Sequence, residues 1–154
     1  MNESEPHALL RFGKGYATGA GLARSTQQEF QLVADRNCTE PRRAASFTWT
    51  TDNDTDVRVA IGAPLQLVAV TNFYHSYPGT PSGPGVTLET RQCSAFAEFT
   101  PEAGHTYAIV HRATPNAGCS LGIVDDSTGA APADLTVAVP ATCIPPNLRL
   151  PEQR

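Results

Sequence analysis

Lysine is almost missing from this chain: Lys14 is the only one, and methionine and tryptophan occur once each. Charged residues make up 17% of the 154 residues, against about 25% in an ordinary soluble domain. Net charge is −4, so no basic surface for nucleic acid is expected. No apolar run is long enough for a membrane-spanning helix. The opening MNESEPHALL is too polar for a signal peptide, which reads as a mature exported domain. No segment keeps a 3.6-residue apolar period beyond two turns, so helices are not expected. C-x-x-C spacing and a G-x-S-x-G elbow are both absent, which removes a zinc ribbon, a thioredoxin-type motif and the commonest serine-hydrolase signature.

Proline (13) and glycine (12) are plentiful, with threonine, valine and alanine around them. That composition belongs to short strands joined by many turns. Arginine in place of lysine, with abundant alanine, suggests a GC-rich bacterial source. Strand patterns fall at HALLRFG, at QEFQLVADRNC with Phe30, Leu32 and Ala34 alternating with polar residues, and at SFTWTT with Phe47 and Trp49. VRVAIGAPLQLVAVTNFY reads as two strands broken at Gly62–Pro64. VTLETRQCSAFAEFT follows, then HTYAIVHRA with Tyr107 and Ile109 set against His105 and His111, then CSLGIVDD and, as a last core strand, DLTVAVP. The count is about eight to ten strands of ordinary length. The fold expected is all-β: a two-sheet, mostly antiparallel β-sandwich, immunoglobulin-like or related, in one domain over residues 1–154. The proline-rich tail, about 144–154, is expected to be irregular, and it, the termini and the loop after Tyr77 to be mobile.

Cys38, Cys93, Cys119 and Cys143 are an even set, widely spaced, as two disulfides in an oxidising compartment would be. If the strands ending at Phe99, Tyr107–Arg112 and Cys119–Asp125 form a meander, Cys93 and Cys119 both lie opposite Arg112. They are then two strand spacings apart, ~9–10 Å, beyond the ~7 Å a disulfide spans. The pairing expected is therefore Cys38–Cys93 with Cys119–Cys143, and its rival is Cys38–Cys119 with Cys93–Cys143.

Four glycines stand in GKGYATGAG, Gly13 to Gly21, and resemble a dinucleotide loop with Asp35 as the ribose acid. No helix can follow, because Gly21 would sit in its first turn and strand residues come close behind. A bend or close backbone approach between sheets, with Tyr16 packed at it, is the better reading. DNDTD, Asp52 to Asp56, starts like an EF-hand loop but has Val57 where glycine is needed and Ala63 where the bidentate acid belongs, so it reads as a turn. Asp125–Asp126 before STG reads likewise. His105 and His111 share a strand face ~20 Å apart and are expected to be exposed. Together with His7 and His75 they define no metal site. Sequons at Asn2, Asn37 and Asn53 carry no weight in a bacterial protein. No catalytic residue and no cofactor are assigned.

The stretch NFYHSYPGTPSGPG crowds aromatics at the mouth of a Pro/Gly loop. Tyr74, His75 and Tyr77 are the binding residues assigned, because aromatics give large contact area at low entropy cost. Residues Phe99, Pro101, Gly104 and Tyr107, in the pattern F-x-P-x-x-G-x-x-Y, precede Cys119, Asp125, Thr128 and Gly129. This pattern is similar to one in bacterial envelope lipoproteins of uncharacterised function, where it forms a hairpin and then a cysteine strand ending in D-x-x-T-G. The resemblance implies a periplasmic β-domain, tethered to a membrane through a segment preceding this chain. It carries over no ligand and no catalytic residue. The function expected is a non-enzymatic periplasmic or extracellular binding module of the bacterial envelope with a protein partner. An inhibitor or immunity protein, and a small hydrolase with an unrecognised site, are the alternatives. Oligomeric state is open.

Overall fold

The computed structural model describes residues 5–16, 24–48, 53–78, 86–114 and 118–150. Its strands are β1 (Ala8–Gly13), β2 (Arg24–Val33), β3 (Arg42–Phe47), β4 (Thr55–Val59), β5 (Leu65–Pro78), β6 (Val86–Phe99), β7 (Thr106–Thr114), β8 (Gly118–Asp125) and β9 (Thr136–Ala138). They form two sheets: a four-stranded one in the order β4-β1-β7-β8 and a five-stranded one in the order β3-β2-β5-β6-β9. Every ladder is antiparallel except β1 with β7. The sheets face each other as a β-sandwich. Leu10, Phe12, Tyr107, Ile109 and Ile123 of the smaller sheet pack in one buried cluster with Phe30, Phe47, Leu67 and Phe99 of the larger. Phe12 and Phe30 meet across the gap with ring centroids 4.8 Å apart.

Alternation explains most of this core, but β2 departs from it. Phe30 and Leu32 point inward as expected, yet Gln28, Glu29 and Gln31 are buried too. The outer face of the larger sheet is covered. Val33, Cys38, Val68, Val70 and Phe96 form a second apolar cluster, roofed by Ala138, Ala141, Cys143, Ile144 and Leu148. The tail is irregular, with a single 3-10 turn at Pro146–Leu148, but through Leu150 it is a strap and not a loose end. Gln92 Nε2 donates to the Leu148 carbonyl at 2.9 Å, and the Ala141 amide donates to Ser94 Oγ at 3.0 Å. The segment read as a last core strand is a three-residue edge strand, with Val137 and Val139 exposed.

The disulfides are Cys38–Cys143, which ties the strap to the end of β2, and Cys93–Cys119, which joins the two sheets. Both pairings derived from a meander are therefore wrong, and the one excluded is present. The meander does not exist: β6 lies in the larger sheet and β7 in the smaller. The chain crosses between sheets at Pro101–His105, bringing Cys93 and Cys119 face to face with Cα atoms 6.2 Å apart. The pattern F-x-P-x-x-G-x-x-Y is thus an arch and not a hairpin. Phe99 and Pro101 are buried, Gly104 takes φ +76°, and the Tyr107 hydroxyl accepts from the Glu102 amide at 2.9 Å. A tyrosine bonding back to the backbone a few residues upstream braces sheet-to-sheet corners in other sandwiches.

Candidate functional site

Among the described residues three places hold chemistry. The first is the β5–β6 hairpin. Tyr74, His75 and Tyr77 were assigned to the mouth of a loop, but all lie on β5, which runs to Pro78. The Pro/Gly loop proper, 79–85, is outside the described residues. Tyr74 is half-buried and lines a cleft of about 330 Å³ with Asn72, Glu29, Arg43, Asn147 and Arg149, where the strap crosses the outer face. Glu29 is buried there beneath Arg43, at 2.9 Å, and accepts from Gln31 Nε2. His75 and Tyr77 occupy ladder positions opposite Glu89 and Thr87. Among the described residues β2 follows β5 as far as His75. Among the described residues Ser76–Pro78 pair with Val86–Leu88 alone, and this end of the hairpin is called the arm below; residues 17–23, which precede β2, lie outside the described residues. Along β6 the edge away from β5 meets β9 only at Phe96–Glu98, and from Val86 to Ala95 it has no ladder partner among the described residues.

The second place is a polar layer inside the sandwich, which alternation hides because its members stand at core positions. Gln28 Nε2 donates to Thr71 Oγ1 at 2.8 Å and to the His111 carbonyl at 2.6 Å, while Gln28 Oε1 accepts from the Gly15 amide at 3.1 Å. Thr71 Oγ1 is 2.8 Å from His111 Nδ1. His111, read as exposed, is fully buried, and burial pushes its imidazole down to about 4. Its parity is the missed signal, since Tyr107, Ile109 and Ala113 stand on the same face and are buried. Nε2 of His111 has no partner among the described residues, an unmet polar atom that costs about 1–3 kcal/mol in such a setting. Gly15 is where the glycine stretch earns its explanation: a Cβ there would collide with the His111 carbonyl. Close backbone approach is therefore its role, with Tyr16 bridged to Ala113 beside it. Gly19 and Gly21 lie outside the described residues, as do Trp49 and Asp52.

The third is the turn after β8. His105, also read as exposed, is half-buried with Nδ1 2.7 Å from Asp125 Oδ2 and 3.5 Å from Glu102. Asp125 is buried and accepts from the Ser127 amide at 2.9 Å, while Gly129 turns the chain at φ +74°. Burial raises the Asp125 carboxyl, but the bonds from His105 and Ser127 outweigh it and hold it below its ordinary value. D-x-x-T-G is therefore a capped turn, as the aspartate pair was read.

No protein-family model, curated protein or solved structure compared with the chain matches it. The fold and its bridges define the class: a disulfide-bonded β-sandwich of the kind that persists in an oxidising, non-cytoplasmic compartment.

Proposed function

We propose that this chain is a non-enzymatic binding module of the bacterial cell envelope, periplasmic or extracellular, and that its β5–β6 arm engages a protein partner. The observation that carries the reading is the arm itself. Among the described residues two strands pair there with each other alone, beside a length of β6 edge that has no ladder partner. A two-stranded ribbon is marginal in water on its own, and an unpaired edge is a template for a further strand. An extended segment of a partner satisfies both by adding to β6, with main-chain hydrogen bonds supplying affinity. Tyr74, His75 and Tyr77 lie on β5 at the start of that stretch and are the residues this reading assigns to the contact.

The experiment replaces residues 76–88 with an Asn-Gly turn, which closes a two-residue hairpin. The variant and the wild type are compared in capture from an envelope extract of the source organism, with urea unfolding of both as the fold control. Loss of one captured protein at an unchanged unfolding midpoint supports the arm. Equal capture, or none by either protein, overturns it.

A further inference from the structure

The Cys93 and Cys119 sulfurs and a ring nitrogen of His111 lie within 4.8 Å of one another. These three residue types form borderline-soft metal sites, and Cys2His with an open fourth position is a known zinc arrangement. Two further observations point the same way. His111 is fully buried, and its Nε2 has no partner among the described residues, although nearly every other buried polar side-chain atom there has one. The opposite ring nitrogen meets Thr71 Oγ1 at 2.8 Å, the kind of outer-shell bond that orients a metal-binding imidazole. Access exists as well: Cys119 lines a cleft of about 680 Å³ with Lys14, Tyr16, Arg112 and Ser120.

We propose that reduction of the Cys93–Cys119 disulfide turns this corner of the polar layer into a binding site for Zn²⁺. A dithiol reductant delivers two electrons to the S–S bond and ends as a disulfide, leaving two thiols. The metal then displaces one proton from each thiol to solvent and takes two thiolates and the neutral imidazole. Two thiolates cancel the charge of a divalent ion, so no net charge is buried, a condition a monovalent ion does not meet. The fourth position opens toward the cleft for water. Bridge and metal exclude each other, so oxidation closes the site and reduction opens it. This proposal does not depend on the reading of the arm.

The test reduces the whole chain with a phosphine, removes the reagent under argon and titrates Co²⁺, then Zn²⁺. Near-ultraviolet circular dichroism follows the fold. The expected result is one equivalent of Co²⁺ with an intense thiolate charge-transfer band, displaced by Zn²⁺. C93S/C119S, which retains the thiols of Cys38 and Cys143, should lack the band. His111→Gln should bind at least ~10-fold more weakly. Absence of the band in the wild type overturns the proposal, as does its survival in C93S/C119S or undiminished affinity in His111→Gln. A reduced chain that unfolds and is not restored by metal overturns it too.

Discussion

The Cys93–Cys119 bridge closes a loop of 26 residues between sheets whose facing side chains already interlock, whereas Cys38–Cys143 closes one of 105 residues and holds a segment with almost no regular structure. Their surroundings differ in the same sense. The first lies beside Gln28, Thr71 and His111, where the core has turned polar. The second lies among Val33, Val68, Val70 and Phe96, where the strap makes few backbone bonds and needs another restraint. Chain-entropy arguments assign about 3.5 kcal/mol to the short loop and about 4.7 kcal/mol to the long one. The lesson is that a covalent link matters most where ladders are missing.

Three measurements break or sharpen that contrast. The largest effect belongs to the strap. Cys38→Ala/Cys143→Ala should lower unfolding free energy by about 4–5 kcal/mol in urea, and should open the chain near Ile144 to limited proteolysis. A smaller loss than from Cys93→Ala/Cys119→Ala would reverse the ranking. Next comes the polar layer, through His111. The free imidazole titrates at 6.5 and the folded His111 at about 4, so between those values the unfolded chain takes up the proton. Stability should be full above pH 6.5 and fall as pH drops toward 4, by up to about 3 kcal/mol from this group. His111→Gln should flatten that slope in urea midpoints taken from pH 7.5 to 4.5, and an unchanged slope would sink the assignment. Smallest is the ion pair of Arg11 with Asp56, 3.0 Å apart and open to solvent on the smaller sheet. Asp56→Asn should leave the midpoint unmoved within error, because water screens such pairs.

Much of the fold was legible in the residues. The break at Gly62–Pro64, the close approach at the glycine stretch and the turn after Asp125 all follow from local chemistry. What failed was non-local. A strand that turns back in its own sheet and one that crosses to the other carry the same period-two pattern, so nothing in TPEAG separates hairpin from arch. That one ambiguity misdirected the cysteines. His111 failed for another reason: it stands at apolar parity, and a polar side chain there was taken for an exposed one instead of a partner in a buried network with Thr71 and Gln28. The assigned binding residues, Tyr74, His75 and Tyr77, were read at a loop mouth, but β5 runs on through them.

The parallel ladder between β1 and β7 sets a schedule for folding. Leu9 waits for Thr106, and Cys38 waits for Cys143. During synthesis the smaller sheet cannot close, nor the strap lock, until nearly the entire chain has left the ribosome. Long-range pairings of this kind also form slowly once their partners exist. The ladders β3-β2-β5-β6 use residues no later than Phe99, so most of the larger sheet has its strands early, and the strap and its bridge are the last parts of the fold to find their partners.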